Sequence, residues 1–418
     1  MTLGRPFDNE IKRARSYFDP SRRALARAYR PYRYFSLIAS LLFDFAFFWL
    51  LILSPAGRAF EAAPPSHFLP VWRAAIWAAS TFLLRSALAA PLSYLTGYLW
   101  PKKFGLVVHS PAQHFKDLLV SMAVSLPVTA GGAALLEWLI LTRPGSWWLY
   151  ASVLAGVFTV IVTALAPVLL MPLFNKFVPM RDGGLKRALL DMADHAGIRV
   201  TDVYVMDMSR RTTTANAMLT GLGPTRRMIV GDTLLADFPE DEVQVVMAHE
   251  LAHHYHKHIT WGLALSALAL PPIFYLGFHM TGIASRLTGS GPGAMRYLGV
   301  FAAALYLVSL LSSPVSSRLS RLFEWQSDDF ALRMTGLGNG MARMMARLTD
   351  GSLGDIDPPA MVKFFFYTHP PALERIVHAL RFKAGGASPP GAGATAHDAP
   401  GPSGSRPTSE PSRPGGTS

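Results

Sequence analysis

The stretch Ala248–Met280, AHELAHHYHKHITWGLALSALALPPIFYLGFHM, puts two environments into one run of chain. Its opening, Ala248–His258, is crowded with histidine. The rest is apolar for long enough to cross a hydrocarbon core of about 30 Å as a helix. In the opening, His249 and His253 stand four residues apart with Glu250 beside the first. On a helix this spacing places both imidazoles on one face, one turn apart, where they can share a zinc ion at about 2.0–2.1 Å. Glu250 sits next to them without competing for the metal. It can take a proton from a water acidified by that metal and pass it to a leaving amine. The stretch therefore predicts a zinc helix lying at a membrane surface. The other reading of the same residues is a histidine-rich helix beside lipid headgroups.

Working outward, further apolar runs near Phe35–Leu53, Val71–Ala90, Leu118–Leu141, Trp147–Leu169 and Met295–Val315 join Ile259–Met280, which predicts six spans. Trp72, Trp147, Trp148 and Trp261 stand at the ends of these runs, where an amphipathic ring suits the headgroup level. The composition agrees: 50% of the 418 residues are hydrophobic and only 16% charged, too apolar for an ordinary soluble enzyme of this size. The fold class expected is a mainly α, multi-pass membrane protein carrying a small α/β unit.

The formal charge of +12 is concentrated beside the apolar runs and is not part of any nucleic-acid motif. Membrane lipids are the expected partner and nucleic acid is not. Lys12, Arg13, Arg15, Arg22, Arg23, Arg27, Arg30 and Arg33 precede the first span, and Lys102 and Lys103 follow the second. These segments should face the cytoplasm, and six spans return both the zinc helix and the segment after Val315 to that side. The first residues lack the pattern of a cleavable signal peptide, so the first span should serve for insertion. With no cysteine, a metal must be held by nitrogen and oxygen.

The expected divisions are a basic segment 1–33, with an interfacial helix around Ser21–Tyr32, and amino-terminal spans 34–175. A catalytic insertion 176–258, two spans 259–316, a carboxy-terminal catalytic part 317–382 and a disordered Gly/Pro/Ser-rich tail 383–418 follow. The insertion reads helix (Leu185–Ala196), strand (Val200–Met206), strand (Arg227–Val230) and helix (Glu240–His258).

A catalytic zinc needs a third protein ligand, and Glu324 in SRLFEWQSDDF is the best candidate, because two crossings bring it back to the same face. Asp328, one turn further, could accept a hydrogen bond from the second ring nitrogen of His249. Arg321 could pair with either carboxylate. His254, His256 and His258 lie off the required face and are not expected to bind the metal. His369, in YTHPPALERI, is held by Pro370 at the entry to a helix; on composition alone it is a capping or surface histidine.

Four ordered blocks carry a wider resemblance: LFNKFVPM at Leu173–Met180, TTTANAMLTG at Thr212–Gly221 with GDTLL at Gly231–Leu235, the zinc helix, and SRLFEWQSD at Ser320–Asp328 ahead of THPP. Together they resemble the type I CAAX prenyl protease family, integral-membrane zinc metalloproteases of the gluzincin class. The resemblance implies a membrane helical barrel around a water-filled chamber, with a zincin-like catalytic unit. It implies His249, His253 and Glu324 as ligands of one Zn2+, Glu250 as base, and Asp328 as the supporting carboxylate. It also implies a substrate-pairing edge strand at Asn216 and Ala217, His369 at the oxyanion, and Arg375 as its support. The expected substrate is a membrane-associated or lipidated peptide cut by a monomer, in a bacterial inner membrane. The shorter heat-shock membrane metalloproteases share the chemistry and are the neighbouring reading; a catalytically idle membrane scaffold is the other. Family members with seven spans leave two alternatives here: a hidden break in Val71–Trp100 or Trp147–Asn175, or one helix fewer.

Overall fold

The structure is a computed structural model and describes residues 5–221, 226–288 and 295–382. The tail 383–418 expected to be disordered lies outside the described residues. Among the described residues, six helices are long and apolar enough to span a membrane: Pro20–Leu53, Pro70–Lys103, Pro111–Thr142, Trp147–Phe174, His258–Ile283 and Leu298–Thr335. Each packs against the next in sequence, and the sixth returns to the first, so the bundle closes as a ring. Large apolar side chains point away from the protein along them, with Leu268 and Leu311 74% exposed, as a lipid-facing surface requires. Charge inside the bundle is paired: Asp44 of the first span accepts from Arg85 Nε of the second at 2.9 Å.

The second and fourth spans are single helices, so neither hides a break and the count stays at six. Each contains one π-helical turn, Leu95–Leu99 and Ala166–Leu170. A proline follows closely in both cases, Pro101 and Pro172. Its ring clashes with the carbonyl four residues earlier, which is residue 97 or 168, and widening that turn relieves the clash without ending the helix.

The catalytic unit sits at the end of the bundle where the first span begins. Its sheet has strands β1 (Phe177–Pro179), β2 (Val203–Met206), β3 (Ala217–Thr220) and β4 (Arg227–Gly231), in the order β1-β2-β4-β3. β2 and β4 run parallel, and β3 pairs antiparallel to β4 with Ala217 opposite Val230. Three expectations for the insertion change. β1, β3 and a short helix, Asp232–Asp237, add to the helix-strand-strand-helix reading. The first predicted strand is shorter, starting at Val203. The zinc helix covers Glu240–Tyr255 and stops before His258. At Lys257 the backbone enters the left-handed region (φ 57°), uncommon for a residue with a side chain, and the fifth span starts in a new direction at His258.

One hydrophobic core unites this unit. Val203, Met228 and Val230 of the sheet, Val245, Met247 and Leu251 of the zinc helix, Phe330, Met341 and Ile376 are all buried in it, together with Ala14 and Phe18. The helix carrying Phe330 runs unbroken from Met295 to Thr335, across the division placed at 316/317, so the sixth span continues directly into the catalytic unit.

The amino-terminal segment departs from the sequence reading. Ser21–Tyr32 is not a separate interfacial helix but the start of the first span, and Arg23, Ala26 and Tyr29 are buried. Several of its cations bind protein. Arg23 Nε donates to Asp350 at 2.6 Å, Arg22 to the carbonyls of Asp350 and Gly351, and Arg30 pairs with Asp355 at 3.0 Å. Lipid headgroups are therefore not the only partner of this basic run.

Candidate metal centre

His249 and His253 project from one face of the zinc helix toward the extension of the sixth span, which presents Glu324. His249 Nε2 lies 3.3 Å from His253 Nε2 and 3.3 Å from Glu324 Oε2; His253 Nε2 lies 3.5 Å from Glu324 Oε1. A tetrahedral ion with bonds of about 2.0–2.1 Å has edges of about 3.3–3.4 Å, so the spacing of the three groups is close to that of zinc ligands. Glu324 Oε2 is buried and has no hydrogen-bond partner, as expected of an oxygen placed to face a cation.

Behind each histidine a second contact selects the tautomer. Asp328 Oδ1 is 3.0 Å from His249 Nδ1, so Nδ1 carries a proton and, once the ring is neutral, the Nε2 lone pair faces the cluster. The contact behind His253 was not anticipated. His258 Nε2 donates to Gln326 Oε1 at 2.9 Å, which leaves its Nδ1 as acceptor for His253 Nδ1–H at 3.1 Å. His253 therefore also presents Nε2 unprotonated. The left-handed turn at Lys257 folds His258 back onto His253, and a residue five positions on gives no such signal in a helical reading. Burial, with the neighbouring His249, holds the pKa of His253 down to about 3. For His249 burial acts downward too, but the bonds to Asp328 and Glu324 outweigh it and raise the pKa to about 9.

Burial pushes Glu250 up to about 7, a value suited to a group that takes up and releases a proton near neutrality. The Leu219 backbone offsets part of that rise, which places Glu250 beside β3. β3 is the edge strand next to the zinc helix. Asn216 gives its carbonyl to the Gly231 amide (2.9 Å), so the ladder alternation turns the N–H and C=O of Ala217 and Leu219 to the outer edge. His254 Nε2 donates to the Leu219 carbonyl at 3.0 Å. This histidine ties the strand to the helix.

His369 Nε2 is 3.4 Å from Glu324 Oε1, while the Thr368 hydroxyl lies 3.0 Å from its Nδ1. Burial lowers its pKa below the ordinary histidine value. Arg375 is buried; it donates to Asp328 through Nε (2.7 Å) and stands 3.5 Å from Glu324 Oε2. Arg321 does not pair with Glu324 or Asp328. Its Nη1 donates to the carbonyls of Lys363 (3.0 Å) and Tyr367, fixing the segment that leads to His369. Arg321 shares a helix face with both carboxylates, but Arg375 lies against them and the two carbonyls claim the Arg321 guanidinium.

A closed ring of six spans with this centre at one end defines a multi-pass membrane zinc metallopeptidase. Residues 179–382 match Peptidase family M48, and residues 13–176 match the family described as CAAX prenyl protease N-terminal, five membrane helices. In that second range the described residues hold four long apolar helices and the short Pro55–Ala62 helix. The chain is 29% identical over 373 residues to the "Uncharacterized metalloprotease YhfN" of Bacillus subtilis, covering 87% of each. It is 28% identical to "CAAX prenyl protease 1" of Saccharomyces cerevisiae, covering 68% of this chain and 67% of that protein. The crystal structure of S. mikatae Ste24p has the same fold, with a TM-score of 0.76 at 22% identity over 88% of this chain and 90% of that one. The chain belongs to the type I CAAX prenyl protease family within Peptidase family M48.

Proposed function

We propose that the protein is an endopeptidase holding one zinc ion on His249, His253 and Glu324, and that it cuts membrane-associated or prenylated, CAAX-like peptides. The observation that carries this reading is the buried three-ligand cluster with Glu250 next to it and the β3 edge alongside. When bound there, zinc supplies Lewis acidity, acidifying water and polarising a carbonyl. A substrate strand laid along β3 pairs its backbone with Ala217, next to Asn216, which demands little of side chains. Glu250 takes the proton of the attacking water and returns it to the leaving nitrogen. With the Thr368 hydroxyl donating to Nδ1, His369 carries its proton on Nε2 and donates it as a hydrogen bond to the developing oxyanion. Asp328 orients His249, and Arg375 neutralises Asp328.

All these residues come from one chain, which supports a monomer. The distribution of Lys and Arg supports an inner-membrane protein with the site, the amino terminus and the tail on the cytoplasmic side. The name of the Saccharomyces cerevisiae relative supports a CAAX-like substrate. The match over residues 13–176 favours this reading over the shorter heat-shock proteases and their role in quality control. The intact base and ligand set argues against an idle scaffold. The test is Glu250→Gln. The variant should keep stoichiometric zinc and lose cleavage of a fluorogenic peptide by about 10²–10⁴-fold. Undiminished turnover would overturn the assignment.

A further inference from the structure

The short helix Ala360–Phe366, which ends three residues ahead of His369, carries an apolar face that the protein does not cover. Met361 is 67% and Phe364 52% exposed, and a spacing of three residues puts them on one side of the helix. Lys363 points elsewhere, to its ion pair with Glu374 at the start of the helix that carries Arg375. The helix therefore turns a charged flank toward the catalytic unit and an apolar flank away from it. The chain entering it is held by the first span, where the Tyr34 hydroxyl and Arg30 bind Asp355 and Arg30 Nη2 also reaches the Asp357 carbonyl at 3.4 Å. Its own carbonyls are held by the sixth span: Ser317 Oγ donates to Phe365 (3.0 Å), and Arg321 Nη1 to Lys363 (3.0 Å) and Tyr367. The helix thus bridges the seam between these two spans. By helical position, Ser317 and Arg321 fall between the face of the sixth span that meets the first, marked by Tyr306 on the Leu41 carbonyl, and the face of Leu311 and Val315, which are 74% and 65% exposed. Tyr34 falls likewise between Leu41 and the exposed Phe35 and Ile38. The bridge therefore lies across the outer, lipid-side mouth of the seam. Its depth follows from the same contacts. Ser317 and Arg321 stand two and six residues past Val315. That is about 3–9 Å along the helix axis, against a headgroup layer about 5–7 Å thick on each side of the hydrocarbon core.

We propose that Ala360–Phe366 is an interfacial anchor whose Met361 and Phe364 enter the leaflet on the catalytic side, so that bilayer lipid holds the segment on which His369 stands. A helix lying in this layer is bound by the apolar side chains it buries at the acyl boundary. Continuity with the exposed face of Leu311 and Val315 favours the bilayer as occupant over the lipid group of a substrate or another part of the chain. Met361 and Phe364 are then positioning residues: they touch lipid, and they act on the reaction only through the chain that leads to His369. This catalytic consequence rests on the peptidase reading above, whereas the insertion itself does not.

The chain has no cysteine, so Met361→Cys and Phe364→Cys each introduce a single site for a nitroxide label. In the full-length protein in phosphatidylcholine liposomes, both labels should relax more strongly with dissolved oxygen, which partitions into hydrocarbon, than with an aqueous nickel chelate. The controls are Leu311→Cys on the lipid-facing side and Asp182→Cys, whose side chain is 98% exposed, on the aqueous side. Chelate access equal to that at Asp182→Cys would overturn the proposal. So would labels closed to both reagents, which would mean a covering by protein, or labels that leave water only when a prenylated peptide is added. For the catalytic part, Met361→Ser combined with Phe364→Ser should lower kcat in liposomes about tenfold, with KM and zinc content nearly kept. Leucine at both positions should restore the rate. An undiminished kcat in the serine pair, or a loss that the leucine pair leaves unrepaired, would overturn the positioning role. If the wild type cleaves no peptide in the presence of zinc, the peptidase reading fails, while the label measurement still decides the insertion.

Discussion

His258 Nδ1 lies 3.1 Å from His253 Nδ1, and Gln326 fixes the far side of the His258 ring at 2.9 Å. A residue outside the H-E-x-x-H pattern therefore sets the tautomer of one proposed metal ligand. Replacing His258 by Phe removes the acceptor and should weaken zinc binding about 10–100-fold. Gln326→Leu should do the same more mildly. Competition with a chelator of known affinity measures both, and unchanged affinity in His258→Phe would show the contact to be incidental.

The metal-free protein should show an opposite pH response to the zinc-loaded one. In the metal-free fold His249 keeps its proton up to about pH 9, against about 6.5 when unfolded. A raised pKa adds stability that is complete below about 6.5 and is lost as pH rises through about 9. His253, with a folded value of about 3, acts only below 6.5, where protonation of the unfolded chain costs stability. Melting of the metal-free protein should thus fall between pH 6.5 and 9. Zinc must displace the His249 proton, so its affinity should rise over the same interval. Calorimetry in buffers of different ionisation enthalpy would reveal the released proton.

The strand proposed to hold substrate is strapped to the membrane bundle. Ahead of β3, Thr212 bridges to Val107, the Thr213 hydroxyl donates to the Gly105 carbonyl at 2.8 Å, and Arg211 Nη2 pairs with Asp117 of the third span at 3.1 Å. Asp117→Ala should raise KM more than it lowers kcat, leaving zinc content intact. Exchanging the two charges, Asp117→Arg with Arg211→Asp, should restore much of the loss. A fall in kcat alone would argue against a role in placing the strand.

Arg23 and Asp350 form a pair that is nearly closed to solvent, with side chains 10% exposed on each partner. Removing one member strands the other, which costs about 3–5 kcal/mol for a buried pair. Arg23→Ala should therefore lower the thermal midpoint in detergent by several degrees. An unshifted midpoint would mean that the amino-terminal helix contributes little to the fold.

Much of this architecture could be read from the chain because the signals were long or redundant. Six apolar runs outlast any soluble helix face, and two histidines one turn apart beside a glutamate need no tertiary information. Glu324 was reachable by counting crossings. What escaped depends on local backbone or on partners far away in sequence. The strand Phe177–Pro179 is too short to show alternation. The turn at Lys257 uses a conformation for which its sequence gives no cue, so the His258 contact was invisible. Arg321 lies one and two turns from Glu324 and Asp328, but the carbonyls of Lys363 and Tyr367 claim it. Ser21–Tyr32 reads as amphiphilic if its cations face lipid, whereas Arg23 faces Asp350.

The unbroken helix Met295–Thr335 has one more consequence. Glu324 stands nine residues beyond Val315, about 14 Å along a rigid rod whose other part is immersed in lipid. A tilt of about three degrees swings its carboxylate by about 0.7 Å, more than a zinc bond tolerates. If zinc is held as proposed, a change of bilayer thickness that tilts this helix, which carries Pro314 at its waist, is expected to reach the metal through Glu324.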